Sequence, residues 1–193
     1  MSDLESFINL IRKQRHDFMN DLQVISGYLQ TRRPKDALKY IDRLSKENEI
    51  ISEIYRLQDN GFSLCLENNI KKLWQNEVKV EINIEISNFK SKIFEIGYNK
   101  KGDLLNTIFM ELEVTNQKFV YIYIFEDELG ESLLITNNEA MSDEMSWMDE
   151  WQQIETEIND LRIYKCVFDN NIAYRLIFST ISDVITCGAG LID

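Results

Sequence analysis

The chain has 193 residues, with 33 acidic side chains against 21 basic ones and a formal net charge of −12. This excess repels nucleic-acid phosphates, so we expect no nucleic-acid partner. Hydrophobic residues make up 44% of the chain, which suffices for a substantial core and excludes disorder over most of its length. One proline and seven glycines leave little material for glycine-rich loops that bind phosphates.

The start of the sequence has neither the basic region nor the apolar run of a signal peptide. The longest apolar run, 119–125, has seven residues, whereas a membrane helix needs about 20. Cys65, Cys166 and Cys187 lie far apart and form no C-x-x-C pair, so neither a disulfide framework nor a zinc site is indicated. We therefore expect a cytoplasmic protein without a membrane or metal requirement.

The charge is unevenly distributed along the chain. Residues 1–60 contain ten basic and ten acidic side chains, so residues 61–193 carry the whole negative excess. The run Asp59-Asn60-Gly61 is typical of a connection. We predict a helical domain over 1–60 and an α/β domain over 61–193.

The first domain is predicted to be an antiparallel helical hairpin, interrupted at Thr31 to Pro34. A second helix, with Ala37, Ile41, Leu44, Ile51 and Tyr55 on one side, ends near Asp59. The seam of the first helix, with alternating spacings of four and three, is Leu4, Ile8, Ile11, Arg15, Phe18, Leu22, Ile25 and Leu29. One hairpin cannot cover this stripe, so we predict that two chains form a four-helix bundle. Packing of the stripe on the second domain of the same chain is the alternative.

The second domain is predicted to pack helices on a mixed sheet, in the order α-β-α-β-β-α-β-β. The predicted elements are helix 62–76, strand 78–86, helix 103–114 with Asp103 as its N-cap, hairpin strands 118–126 and 131–137, an acidic helix at about 142–161, and strands 163–168 and 172–179. The aromatic residues expected in the core are Phe119, Tyr121, Tyr123, Phe125, Trp147 and Trp151. Acidic runs at 126–128 and 143–144 are interpreted as solvated, and the tail after Thr180 has no assignment.

The single histidine, His16, is predicted to lie at the solvent-accessible edge of the bundle, next to seam position Arg15. An imidazole is a competent nucleophile near neutral pH. Cationic Arg12, Lys13 and Arg15 would attract an incoming phosphoryl group and offset its charge. Asn20, one turn further, could bond the ring or a phosphoryl oxygen. These patterns predict His16, Arg12 and Asn20 as catalytic, while an ordinary surface histidine is the alternative.

Four further residues around His16 are predicted to bind a partner protein: Lys13, Arg15, Asp17 and Met19. Met19 is a helical neighbour of His16 at three residues. Adjacent helical residues point about 100° apart, so Asp17 is expected to contact a partner or a basic side chain rather than the ring of His16.

Residues 15–23, R-H-D-F-M-N-D-L-Q, resemble the phosphoacceptor box R-H-D-x-x-N-x-L-Q of the sporulation initiation phosphotransferase B family. Related boxes open the dimerisation helices of citrate-type and peptide-sensing histidine kinases. The resemblance implies an α+β fold in which hairpins dimerise into a four-helix bundle and the second domain resembles a degenerate kinase ATPase domain. It also implies that His16 takes a phosphoryl group from the aspartate of one response regulator and passes it to the aspartate of another.

An ATPase domain of the kinase type needs a metal-binding Asn, an Asp-x-Gly-x-Gly turn and a glycine-rich lid. Glu111 stands where that Asn would be, and no glycine occurs between Gly130 and Gly188. Gly188-Ala189-Gly190 is a weak match. We therefore predict a phosphotransferase with no cofactor of its own, whose partner receiver domain supplies Mg²⁺. A histidine kinase with an atypical ATP site, a non-enzymatic dimeric adaptor and a receiver phosphatase that uses Asn20 are the alternatives.

Overall fold

A computed structural model describes residues 3–114, 118–138, 151–168 and 171–178. The chain divides into two compact units, residues 1–50 and residues 51–193. The predicted domain boundary after residue 60 stays a prediction. None of the helices in the described ranges combines the length and the apolar composition needed to cross a bilayer.

The first unit is a helical hairpin, as predicted. Helix α1 runs over Asp3–Gln30 and α2 over Pro34–Tyr55. The left-handed backbone of Arg32 (φ 57°) ends α1, and the N–H of Arg33 donates to the carbonyl of Tyr28 at 2.8 Å. Pro34 opens α2, where the missing N–H costs no helical hydrogen bond.

A polar and aromatic cluster joins the two helices of the hairpin. The Tyr40 hydroxyl donates to Asp21 Oδ1 at 2.8 Å, and the rings of Tyr28 and Tyr40 lie 6.2 Å apart. The Arg43 guanidinium lies 4.7 Å above the Tyr40 ring. Burial, followed by the hydrogen bond to Asp21, raises the pKa of Tyr40. This cluster fixes which side of α1 faces α2.

Much of the predicted seam is uncovered in the single chain. The exposed large apolar residues of the first unit are Ile8, Ile11, Phe18, Met19, Leu22, Val24, Leu29, Leu38 and Ile41. An exposed apolar surface of this extent is typical of an interaction site.

The described residues of the second unit after α2 form two helices and one mixed sheet, which confirms the predicted α+β class. Its elements are α3 (Asn60–Gln75), β1 (Lys79–Ile84), α4 (Tyr98–Val114), β2 (Phe119–Asp127), β3 (Gly130–Thr136), β4 (Gln152–Ile154), β5 (Leu161–Phe168) and β6 (Asn171–Phe178). The strand order is β1-β2-β3-β6-β5-β4, with β1 parallel to β2 and the other pairs antiparallel. The fully buried residues include Phe62, Leu66, Ile70, Leu73, Leu105, Ile122, Ile124, Leu133 and Ile135.

The aromatic residues of β2 stand at every second position, and only the last of them is fully in the core. Phe125 is buried with Leu134, Cys166 and Ala173, and Tyr123 and Trp151 pack against this cluster. The core prediction is therefore confirmed for Phe125, whereas Phe119, Tyr121, Tyr123 and Trp151 are half-buried. Trp147 lies outside the described residues.

The predicted start of α4 was wrong. The helix begins at Tyr98, directly after Gly97, whose left-handed φ of 74° sets the bend, so Asp103 lies inside the helix and is not its N-cap. The residues between, Asn99 to Gly102, are polar or small and carry no apolar period.

The predicted acidic helix at 142–161 was wrong in its second half. Residues 152–154 form β4, paired with β5 through Gln153 and Tyr164, and no helix follows before Leu161. Residues 142–150, Asp143 and Glu144 among them, lie outside the described residues. So do Asp169, Asn170 and everything after Phe178, including Cys187 and the Gly188 to Gly190 segment.

Candidate functional site

His16 lies in the middle of α1 on an open surface. Its side chain is 75% exposed, and every residue from 11 to 20 is exposed. The solvent access predicted for the ring is therefore present in the hairpin. Its position at the edge of a bundle requires a second chain and stays a prediction.

Two side chains approach the same nitrogen of the His16 ring. The amide nitrogen of Asn20, one turn further along α1, lies 3.1 Å from Nδ1, which is hydrogen-bond distance. Asp17 Oδ1 lies 3.6 Å from Nδ1, beyond a hydrogen bond but within ion-pair range. The expectation that Asp17 would point away from the ring was wrong. Both side chains are exposed, so rotation about χ1 brings the carboxylate around the helix toward the ring.

This arrangement leaves Nε2 as the open nitrogen. Within the described residues both ring contacts of His16 are made by Nδ1. A neutral imidazole carries one proton, and a proton on Nδ1 leaves a lone pair on Nε2. Turning the Asn20 amide over presents its oxygen to Nδ1, and the Asp17 carboxylate is an acceptor in any orientation. Both neighbours can therefore hold the tautomer in which Nε2 is nucleophilic.

The basic residues around His16 are exposed, and no ion pair within the described residues neutralises them. At 100° per residue, Arg12 and Lys13 lie about 40° and 60° from His16 around the helix, one turn before it. Arg12 and Lys13 lie on opposite sides of His16, and Met19 lies about 60° from His16 on the Arg12 side, one turn after it. Arg15 is turned about 100° away, toward the apolar seam. The structure thus groups Arg12, Lys13, Asn20 and Asp17 with His16 and leaves Arg15 at the margin.

In the second unit, Glu111 is bound by two side chains of the sheet. Its Oε1 accepts a hydrogen bond from Lys165 Nζ on β5 at 2.6 Å, and its Oε2 accepts one from the hydroxyl of Tyr174 on β6. Burial tends to raise the pKa of Glu111, but the hydrogen bonds from Lys165 and Tyr174 lower it overall. The carboxylate at the position of a kinase's metal-binding Asn therefore already has a cationic partner. No sequence signal joined these residues, because they lie 54 and 63 positions apart.

The residue that follows β3 is hydrogen-bonded to the neighbouring strand β6. Asn137, which directly follows β3, is buried, and its Oδ1 accepts a hydrogen bond from the N–H of Ile172 at 2.8 Å. Its own N–H donates to the Ile172 carbonyl at 3.2 Å. This asparagine therefore acts as a backbone mimic that extends the pairing of β3 with β6.

A cavity of about 310 Å³ lies at the start of α4, between residues 96–101 and 157–160. Its buried cation, Lys101, is only 2% exposed and donates to Asp160 Oδ2 at 2.6 Å and to the carbonyl of Ile93. The Lys101 charge is therefore already compensated. In the described parts of the chain, no three His, Cys, Asp or Glu side chains are grouped to hold a metal ion.

One family model and two known proteins are similar to parts of this chain. The family model described as sensor kinase SpoOB-type, alpha-helical domain, matches residues 1–57. A curated relative, "Sensor protein CitS" of Halalkalibacterium halodurans, is 25% identical over 144 residues, which cover 69% of this chain and 26% of the relative. The chain thus spans about a quarter of that protein. Among solved structures, the histidine kinase ThkA in complex with the response regulator protein TrrA aligns with 92% of this chain and 63% of its own, at 9% identity and a TM-score of 0.43.

These matches are to the sensor-kinase type of protein. More particularly, residues 1–57 match the model of the SpoOB-type alpha-helical domain, and the resemblance stated from the box around His16 is confirmed over that segment.

Proposed function

We propose that this protein is a phosphorelay phosphotransferase that works without ATP. His16 accepts a phosphoryl group from the aspartyl phosphate of one response regulator and donates it to the aspartate of a second one. The observation that carries the proposal is the exposed imidazole on a SpoOB-type hairpin, with neighbours on Nδ1 and an open Nε2. An aspartyl phosphate is a suitable donor because its transfer potential is close to that of phosphohistidine.

In the proposed step, the lone pair of His16 Nε2 attacks phosphorus in line with the departing oxygen. The N–P bond forms, the P–O bond to the donor aspartate breaks, and the donor carboxylate leaves with the electron pair. The proton on Nδ1 stays in place, held by the Asp17 carboxylate or by the Asn20 oxygen after that amide is turned over, and the resulting imidazolium is stabilised by the Asp17 carboxylate. The second transfer is the reverse step on another aspartate. Mg²⁺ belongs to the receiver domain in this proposal.

Arg12 and Lys13 are proposed to act by position and charge. They lie one turn from His16 without ion-pair partners in the described residues, so their charge is available to an anionic partner. A receiver pocket built of carboxylates and a phosphoryl group would be attracted to this end of the site, which raises the association rate more than the affinity.

The hairpin is proposed to act as a homodimer. The exposed apolar residues of α1 and α2 are typical of a surface that a second copy covers, and four helices bury such a stripe better than two. A sporulation relay is the setting that the family resemblance suggests.

A sensor-type histidine kinase is the second candidate function, favoured by the identity to the CitS sensor protein. The geometry of the second unit argues against it. A nucleotide-bound Mg²⁺ would have to displace the Lys165 ammonium from Glu111.

The experiment is to mix the purified protein with a receiver domain labelled on its aspartate and follow the label onto His16 and then onto a second receiver. We expect rapid label transfer to the wild type and none to His16→Gln, with the same dimer mass for both in light scattering. An adaptor would keep its signalling function in the His16→Gln variant, and a phosphatase would release free phosphate. Rapid labelling of His16 by Mg²⁺-ATP without a receiver would establish the kinase instead.

A further inference from the structure

Gly27 occupies a helical position at which the chain itself does not require glycine. Its backbone lies in the ordinary helical region, unlike that of Gly97 and Gly130, which have positive φ. A Cβ built on Gly27 would meet no atom of the described residues within 4 Å, whereas one on Gly61 would meet Phe94 Cβ at 3.1 Å. Glycine in a helix interior is less stable than alanine. Since Gly27 lowers the stability of α1 and no contact within the chain requires it, we expect the glycine to serve a contact with another molecule.

The position of Gly27 around α1 shows which face of the helix it belongs to. Eleven residues at 100° each place Gly27 about 20° from His16 around α1, and about 16 Å along it. Measured around α1 from His16, Asp21 and Tyr28, which contact α2, lie about 120–140° to one side. The exposed apolar seam lies about 120–140° to the other side of His16. Gly27 is therefore on the His16 face, away from both the hairpin contact and the apolar stripe.

We propose that the receiver domain that reaches His16 places its main chain against Gly27, which makes Gly27 the point of closest approach on this face of α1. This inference rests on the proposed function. Glycine permits close approach because it has no Cβ that would hold the partner's main chain away. A compact domain of about 100 residues has a radius of gyration of about 13 Å, so one that reaches His16 also covers a point about 16 Å away.

The chemistry of this face favours a receiver over other occupants. Between the two ends lie the exposed amides of Asn20 and Gln23, which suit hydrogen bonds to a protein surface. Arg12 and Lys13 at the far end complement an acidic pocket. A second copy of this chain would cover the apolar face of α1, which is turned away from Gly27.

The test compares Gly27→Ala and Gly27→Leu with the wild type in single-turnover transfer from a labelled receiver at varied receiver concentration. Gly27→Ala should raise the melting temperature by about 2–4 °C and still transfer less well at low receiver concentration. Gly27→Leu should raise the half-saturating receiver concentration at least about tenfold, with the saturating rate nearly unchanged. Labelling of His16 by phosphoramidate, a small donor that needs no docking, should be the same in all three proteins.

Gly102→Ala is the matched control, because Gly102 is also inside a helix and its added Cβ would meet only Cys65 Sγ, at 3.8 Å. It should leave the half-saturating concentration unchanged. Equal half-saturating concentrations for wild type and Gly27→Leu would overturn the docking inference and leave the proposed function standing. A Gly27→Leu protein that has lost its dimer would assign the face to a second copy and also overturn it. If the wild type takes no label from any receiver, the proposed function fails and the inference falls with it.

Discussion

Asp59 is the residue whose loss should most weaken the second unit. Its side chain is 2% exposed and serves two separate segments. Oδ1 accepts from the N–H of Phe62 at 2.9 Å and caps α3, while Oδ2 accepts from the N–H of Phe94 at 2.8 Å in the segment before α4. One carboxylate therefore joins the start of α3 to a segment 35 residues further along the chain.

The expected cost of Asp59→Ala is the sum of two losses. Replacing an N-cap aspartate by alanine costs about 1 kcal/mol. The N–H of Phe94 is buried and would lose its acceptor, which costs about 1–3 kcal/mol. The free energy of unfolding should therefore fall by about 2–4 kcal/mol, which for a chain of this size lowers the melting temperature by about 5–15 °C. Asp59→Asn keeps one acceptor oxygen and should lose about half as much.

Thermal and urea unfolding followed by circular dichroism provide the measurement. Asp103→Ala is the matched control, because this exposed aspartate was expected to be a cap and instead lies inside α4. Its replacement should change stability by less than about 0.5 kcal/mol. Equal losses for the two alanine variants would refute the assignment of Asp59 as the joint between α3 and the Phe94 segment.

Three further predictions concern titration, reactivity and backbone strain. The pKa of Glu111 is lowered in the folded protein, so its carboxylate stabilises the fold at pH values above the ordinary pKa of 4.5. The wild type should therefore be more stable than Glu111→Gln at pH 7. In acid-unfolding curves this difference should shrink as the pH falls below 4.5. Burial raises the pKa of the Cys65 thiol to about 11, so peptide mapping should find it unmodified by iodoacetamide at pH 8 until the protein is unfolded. Arg32→Gly should raise the melting temperature by a few degrees, because glycine adopts a φ of 57° without a Cβ penalty.

The hairpin and most strands could be predicted because their signals are local. Pro34 marks the helix break, and the alternation of Val78 to Ile86 indicates a strand with one wet face, observed as Lys79–Ile84. The exposure of His16 follows from its place beside the apolar seam rather than within it. These features depend on residues within a few positions of one another, which is the range over which a sequence pattern carries information.

The remaining features depend on contacts between distant segments. The start of α4 is set by the bend at Gly97, and the short strand β4 exists because it pairs with β5. The Glu111 ion pair with Lys165 joins a helix to a strand 54 residues away. The approach of Asp17 to the ring was missed for a different reason, since helical spacing describes Cα directions and not the rotation of an exposed side chain.

In the proposed function, helix α1 has three neighbours, namely α2, a second copy of the chain and a transiently bound receiver, and only part of this role is visible as periodicity. One side contacts α2 through Asp21 and Tyr28, a second carries the apolar seam, and the third carries His16 and Gly27. The first two sides repeat large residues because burial rewards them at every turn. The third side meets its partner only transiently, so it is kept polar and open, and its function resides in single residues that repeat nothing. On this face the sequence therefore shows only two separate residues, the nucleophile His16 and, about three turns further along, Gly27, which has no Cβ.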